Sequence, residues 1–211
     1  MSKVKIVPGI GNVNGQIFMK DELVTAAWDV AYRLEIDTSS KLDKLKINEM
    51  QDLFACWFLV SFPKIRPGLI KEKMAFGYRE TFNGVGVYVF KESEEYKIVA
   101  MENYGNESIT LSMLGKNFKS GTNGCVVRDK GLFDKEFVIR MRLETGMLRV
   151  TYGPKMRQTS HKTCFEGLYL PNLSNKGFVG LTARNTKKYI NDFSLNSVKV
   201  LNLDPRFYTE R

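Results

Sequence analysis

The sequence has 211 residues, 43% of them hydrophobic and 26% charged, which excludes a disordered or fibrous chain and allows a sizeable core. Its formal charge of +9 is uneven, since residues 1–100 carry 14 Lys and Arg against 13 Asp and Glu, whereas residues 101–211 carry 18 against 10. A basic second half can attract phosphate or anionic lipid, so a binder of nucleic acid or another anion is one alternative.

The N-terminal residues MSKVKIVPGIG do not form a signal peptide, because they lack an apolar core and a small-residue cleavage site. They are either the start of a cytosolic protein or a new start on an excised lumenal domain, and both alternatives stay open. The longest apolar run, LFACWFLVSF, has about half of the ~20 residues that a membrane-spanning helix needs.

The first half of the chain shows a pattern with a period of two residues. In WDVAYRLEI, residues 28–36, large apolar side chains alternate with Asp29, Arg33 and Glu35, which predicts a strand with one buried face. Residues 39–51, SSKLDKLKINEMQ, suit a short helix or a surface loop equally well. DLFACWFLVSF, residues 52–62, is apolar on both faces and predicts an inner strand of a sandwich.

The second half continues the same pattern. In FVIRMRLETGMLRVTYG, residues 137–153, two alternating runs flank a turn at Glu144-Thr145-Gly146, which predicts a β-hairpin. GFVGLTAR and FSLNSVKVL supply two further strands. The chain is therefore predicted to be all-β, an antiparallel β-sandwich that forms a single domain over residues 1–211, with two small domains as the alternative.

The order of five segments resembles the leguminous-type (L-type) lectins of the early secretory pathway. These segments are WDVAYRLEI, DLFACWF, FGYRETFNGVGVYVF, the hairpin and YLPNLSNKGFVGLTA, and they cover about residues 10–202. The resemblance implies a concanavalin-like sandwich of the jelly-roll type, with two large antiparallel sheets. This expectation agrees with the strand pattern read from the residues alone.

The resemblance also implies a function and a location. Family members are mannose-binding cargo receptors that cycle between endoplasmic reticulum and Golgi, so the expected partners are glycans, glycoprotein cargo or a partner protein. The chain would lie in the lumen of the early secretory pathway, as part of a membrane-anchored or secreted protein. Membrane association would come only through a segment outside this chain. Neither nucleic-acid binding nor enzymatic activity is expected.

Two cysteines fall where the family has a disulfide, one just before the long hairpin and one just after it. The resemblance therefore implies a bond between Cys125 and Cys164, which would place the protein in an oxidising compartment. Two free thiols in a cytosolic protein are the alternative. Cys56 lies in the apolar inner strand and is predicted to be a small buried hydrophobe.

The family binds mannose through an aspartate in a D-G-x-A-x-W strand, and the resemblance carries this role to Asp52, five residues before Trp57. Where the family has a glycine after this aspartate, this chain has Leu53. Glycine has no side chain, and this is what lets the backbone approach a ligand closely. The alternative for Asp52 is an ordinary aspartate at the start of a strand.

Calcium requires six to eight oxygen ligands, and the family supplies several of them just past its G-V-G strand. The corresponding positions here hold Phe90 and Glu94, and phenylalanine cannot ligate calcium. Before the last strand, where the family has aspartates, this chain has Lys187 and Lys188, and Asp192 is the one acid that remains. The sequence therefore predicts no cofactor and a lost calcium site.

Several alternatives stay open. A shifted register could bring Glu92, Glu94 and Glu95 beside Asp52 in an altered glycan site that works with or without calcium. Asp192 is a further candidate sugar ligand. Glu92 and Glu94 could instead act as paired acids of a glycoside hydrolase, although a solvated acidic edge is the simpler reading. The hairpin face formed by Arg140, Arg142 and Arg149 is a candidate surface for an acidic partner. Asn106 and Asn172 begin glycosylation sequons, and His161 is predicted to be a surface residue.

Overall fold

The computed structural model of the chain describes residues 3–7, 13–37, 50–62, 74–93, 95–128, 132, 136–154, 159, 161–186 and 192–204. Of the segment 39–51, residues 50 and 51 begin a strand, and the remainder lies outside the described residues. Within the described residues, no helix is long and apolar enough to cross a membrane.

Within the described ranges, strands account for nearly all of the regular structure. In chain order they are β1 (Val4–Val7), β2 (Asn14–Phe18), β3 (Leu23–Val24), β4 (Trp28–Asp37), β5 (Met50–Leu59), β6 (Met74–Ala75), β7 (Tyr78–Arg79), β8 (Asn83–Glu92), β9 (Glu95–Tyr104), β10 (Gly124–Val127), β11 (Glu136–Glu144), β12 (Met147–Gly153), β13 (Lys162–Tyr169), β14 (Lys176–Arg184) and β15 (Asp192–Asn202). The α-helix α1 (Leu111–Asn117) follows β9.

The strands form two large antiparallel sheets. The six-stranded sheet has the order β1-β15-β4-β11-β12-β13, and the seven-stranded sheet has the order β10-β9-β8-β5-β14-β2. The small strand β3 pairs with β14, and β6 pairs with β7. The prediction of an all-β antiparallel sandwich is confirmed.

The main core lies between the two sheets. Trp28 of β4 stacks on Phe58 of β5 with ring centroids 5.0 Å apart, and Phe54 packs against Phe137 of β11 at 5.7 Å. These contacts join β4 and β11 of the six-stranded sheet to one face of the inner strand β5. Burial of such large aromatic side chains provides most of the energy that holds the sheets together.

A second apolar cluster covers the outer face of the seven-stranded sheet. Trp57 of β5 packs there against Tyr78, Phe82 and Tyr88, with ring centroids 4.9–5.3 Å apart. This cluster explains why β5 is apolar on both faces, as the sequence predicts for an inner strand. It also includes Leu114 of α1, a seven-residue helix that the sequence pattern did not predict.

The predicted hairpin is confirmed as β11 and β12, which pair from Val138 with Gly153 to Glu144 with Met147. Its two-residue turn has positive φ angles at Thr145 (51°) and Gly146 (74°), as a type I′ turn requires. Outward-facing arginines therefore lie on one face of the six-stranded sheet.

A disulfide joins Cys125 of β10 to Cys164 of β13, with the two Cα atoms 5.1 Å apart. It is the pairing that the resemblance implies. Because β10 is an edge of the seven-stranded sheet and β13 an edge of the six-stranded sheet, the bond ties the two sheets together along one side. Cys56 is a buried free thiol, and burial raises its pKa well above the usual range.

Candidate functional site

Asp52 lies near the start of β5, and the whole residue is only 7% exposed. Its cross-strand partner on β8 is Phe90, and a bulge separates the pairing of Asp52 from that of Phe54. The bulge reverses the alternation at Leu53, so both Leu53 and Phe54 belong to the main core between the sheets. The structure therefore brings the predicted sugar-binding position and the predicted calcium position next to each other.

The Asp52 carboxylate holds a tight turn in place. The backbone N–H of Phe76 donates to Oδ2 of Asp52 at 3.0 Å, and the carbonyl of the same residue accepts from the hydroxyl of Thr182 at 2.6 Å. The next residue, Gly77, has a φ of 78°, and a Cβ there would lie 2.4 Å from the carbonyl oxygen of Ala183. Only glycine fits, and the turn packs closely over the start of the site.

Arg184, at the end of β14, provides the cation that faces Asp52. Its Nη1 lies 3.8 Å from Oδ2 of Asp52, and the two side chains are 36% and 9% exposed, respectively. Burial raises the pKa of Asp52, while the Phe76 N–H and the positive charge of Arg184 act in the opposite direction. The carboxylate is thus a buried, partly compensated acid rather than an open ligand.

Replacing Asp52 by asparagine should make stability less dependent on pH. Because the folded-state pKa is raised, the folded protein binds more protons than the unfolded chain between the two pKa values, and Asp52 makes the free energy of unfolding fall as pH rises through that window. We expect Asp52→Asn to be more stable than the wild type at pH 7 and to lose this advantage near pH 3, as measured by urea unfolding. An advantage that grows toward low pH would contradict the assignment.

Phe90 occupies the position at which the family has a calcium-binding aspartate. Its side chain is completely buried in the apolar cluster on the outer face of the seven-stranded sheet. Past it, β8 ends at Glu92 and β9 begins at Glu95, so the segment that carries further calcium ligands in the family is a tight hairpin here. Phe90 thus places a phenyl ring, and no oxygen, beside Asp52.

Of the two described glutamates of this hairpin, one is paired with a lysine and the other is exposed. Glu92 forms an ion pair with Lys97, and the ammonium group of Lys97 also lies 4.9 Å from the ring centroid of Phe118. Glu95 is exposed, and Glu94 lies outside the described residues. Among the described residues, no three His, Cys, Asp or Glu side chains come together as a metal-binding group.

Asp192 lies at the start of β15, in the six-stranded sheet, whereas Asp52 lies in the seven-stranded sheet. Its Oδ2 accepts from the ammonium group of Lys5 at 2.7 Å, and its Oδ1 is buried. Lys187 and Lys188 lie outside the described residues. The described contacts therefore give Asp192 a role in holding β1 against β15, and its role in glycan binding stays a prediction.

The three hairpin arginines are each paired with an acid. Arg140 makes a bidentate ion pair with Asp29, Arg142 pairs with Glu144 at 2.8 Å, and Arg149 pairs with Glu166 at 3.1 Å. Arg140 is 17% exposed and Asp29 only 2%, so this pair is structural. Arg142 and Arg149 are more exposed and directly opposite each other, and for them the partner surface stays a prediction.

The two sequons are accessible, since both Asn106 and Asn172 are exposed. Asn106 lies in a turn between β9 and α1, and Asn172 follows β13. The hydroxyl of Ser108, the third residue of the first sequon, donates to the carboxylate of Glu80. His161 is partly exposed, with its Nδ1 3.4 Å from the hydroxyl of Thr151.

Two large antiparallel sheets with this arrangement define a legume-lectin-type β-sandwich, and comparison with solved structures shows the same fold. The exoplasmic/lumenal domain of VIP36 in its Ca²⁺/Man2-bound form has a TM-score of 0.73 and 18% identity, covering 98% of this chain and 80% of that domain. The Emp47p carbohydrate recognition domain has a TM-score of 0.69 and 14% identity, covering 95% and 82%. A legume lectin-like domain from Entamoeba histolytica has a TM-score of 0.67 and 15% identity, covering 94% and 83%.

The chain has the fold of an L-type lectin domain, and the resemblance seen in the sequence is confirmed at that level. No protein-family model and no curated protein matches the sequence. The solved structures of this fold differ in their metal, since VIP36 is also known in a metal-free form and the Emp46p carbohydrate recognition domain in a potassium-bound form.

Proposed function

We propose that the protein is a lectin-type recognition domain of the early secretory pathway that has lost calcium-dependent mannose binding. The observation that carries the proposal is the buried phenyl ring of Phe90 directly across from Asp52. A hard cation needs carboxylates and carbonyls around it, and an apolar ring at the first ligand position removes a charged oxygen that Ca²⁺ requires.

Electrostatics at Asp52 support the same conclusion. Arg184 faces the carboxylate at the distance of a weak ion pair, so a positive charge is already present beside Asp52. A divalent cation in the same place would be repelled by the guanidinium group. Oδ2 also accepts from the Phe76 N–H, so part of the carboxylate's acceptor capacity is already engaged before any sugar hydroxyl could bind.

The lumenal location is part of the proposal. The disulfide between Cys125 and Cys164 is typical of an oxidising compartment, and VIP36 structures of this fold are exoplasmic/lumenal domains. The ligand would then be protein cargo, a partner subunit or a glycan that is bound without metal. Enzymatic activity forms no part of the proposal.

A calcium titration of thermal stability tests the loss of the metal site. A ligand present at 100 times its Kd stabilises a folded protein by about 2.7 kcal/mol, which for a domain of this size raises Tm by roughly 5–10 °C. We expect 10 mM CaCl₂ to change Tm by less than ~1 °C relative to EDTA at matched ionic strength. A saturable increase of several degrees that EDTA reverses would contradict the proposal.

A further inference from the structure

A concavity of about 460 Å³ lies at the opposite end of the seven-stranded sheet from Asp52. It is bounded by Leu59, the last residue of β5, and by Asn83, the first residue of β8. Leu59 follows Asp52 by seven residues, so at the usual strand rise the concavity is roughly 20 Å from the family-type position. Its volume is in the range of small-molecule binding sites.

An aromatic ring that is open to solvent forms one wall. Phe62 is 47% exposed, and its ring is held edge-to-face by Phe178 with the centroids 5.1 Å apart. The base consists of Tyr78 and Phe82, which pack on Trp57 at 5.1 and 4.9 Å. The concavity therefore presents one exposed aromatic ring next to aromatic side chains that are packed in the apolar cluster.

Polar side chains surround this aromatic wall. Ser61, Thr81 and Asn83 are all exposed and line the concavity, so they offer two hydroxyl groups and one amide. Arg79 also lines it, with its guanidinium group 5.8 Å from the ring centroid of Tyr78. Among the described residues that line it, Arg79 is the one that carries a charge.

Hydrogen bonds fix the rim. The buried side chain of Asn103 accepts from the N–H of Gly105 at 3.0 Å and donates to the carbonyl of Glu107 at 2.7 Å, which shapes the turn on one side. On the other side, the carbonyl of Glu80 accepts from the N–H of Ile109 at 2.9 Å. A rim that is ordered before a ligand arrives loses little conformational entropy on binding.

We propose that this concavity is a saccharide-binding site that works without calcium. A pyranose presents both C–H groups, which can stack on the Phe62 ring, and hydroxyl groups, which can pair with the Thr81 hydroxyl and the Asn83 amide. An apolar ligand would leave these polar groups unpaired, and a polyanion would need more than the single cation that the described lining residues provide. The inference rests on the proposed function and deepens it, because it locates the glycan site that needs no metal.

The test is an N-glycan array probed in EDTA with the wild type, Phe62→Ala, Asn83→Ala and Tyr169→Ala. All four proteins carry Asn106→Gln as a common background, and the protein with no further substitution serves as the wild type. The background change is needed because the exposed sequon follows Gly105, so that a glycan on it could fill the concavity. Tyr169, which is 63% exposed on the six-stranded sheet, is the matched control for the loss of a surface aromatic ring. Apparent Kd values for the glycans bound by the wild type are then measured in solution.

We expect the wild type to bind in EDTA, Phe62→Ala and Asn83→Ala to weaken binding by about tenfold, and Tyr169→Ala to stay within about twofold. Unchanged binding by both site variants would overturn the concavity as the site but leave the proposed function standing. A silent array would also overturn this inference alone, because a protein ligand remains compatible with the proposed function. Binding that appears only with calcium would contradict both.

Discussion

Replacing Arg140 by methionine should lower the free energy of unfolding by about 3–5 kcal/mol, because it leaves the Asp29 carboxylate buried without its charge partner. Asp29 is 2% exposed and is held by two guanidinium contacts, Nε to Oδ1 at 2.6 Å and Nη2 to Oδ2. Methionine keeps most of the apolar length of the arginine stem, so lost packing adds little. Urea unfolding measures the change.

The matched control is Arg142→Met, two residues further along β11. Arg142 is 32% exposed and its partner Glu144 is 54% exposed, so water can replace the lost contact and the expected cost is about 0–1 kcal/mol. The double variant Asp29→Asn/Arg140→Met should recover much of the loss, since it removes the unpaired charge. Equal effects of Arg140→Met and Arg142→Met would show that Asp29 is hydrated rather than buried.

Replacing both Cys125 and Cys164 by alanine should lower the free energy of unfolding by about 4 kcal/mol in the chain-entropy model. The bond closes a loop with a sequence separation of 39 and joins the outer strands of the two sheets. Without it, the unfolded chain gains the entropy that the crosslink removed. Urea unfolding of the variant and the wild type, both without reductant, gives the difference.

Adding dithiothreitol provides the control for this prediction. Reductant should bring the stability of the wild type down to that of the double alanine variant and leave the variant unchanged. If the wild type and the variant have the same stability without reductant, the bond is absent from the purified protein. That result would also contradict the part of the proposed function that places the protein in an oxidising compartment.

The fold could be predicted from the sequence because its strands have strongly alternating or continuously apolar patterns. In WDVAYRLEI, Asp29 and Arg33 line the outer face, and the other face packs in the main core. Both faces of β5 are apolar because each of them packs in a separate cluster. The helix α1 could not be predicted in this way. A seven-residue helix is too short to be stable alone, and it depends on the burial of Leu114 against the sheet.

The site could be predicted only in part. Asp52 and Phe90, which the resemblance singles out, are cross-strand partners in β5 and β8, and their roles in binding stay predictions. The cation that faces Asp52 could not be predicted, because Lys187 and Lys188 are the prominent charges before the last strand, whereas the guanidinium group of Arg184 is the one that lies 3.8 Å from Asp52. The alternation of side chains between the two faces of a strand can be predicted from the sequence. A contact between residues of different strands and loops depends on the folded geometry.

No pattern in the sequence predicts the concavity beside Phe62. Its residues come from the end of β5, the segment around β7 and the turn after β9, which are far apart along the chain. Each of them alone is an ordinary surface serine, threonine or aromatic residue. Only the fold brings an exposed ring and three neutral polar side chains to one place.

Loss of calcium-dependent mannose binding is tested most directly by a high-mannose glycan array probed twice with the wild-type protein, once in millimolar CaCl₂ and once in EDTA. We expect the two profiles to be the same, whether glycans are bound or not, because no step of recognition uses the metal. Binding of mannose-rich glycans that is present with calcium and disappears with EDTA would contradict this loss.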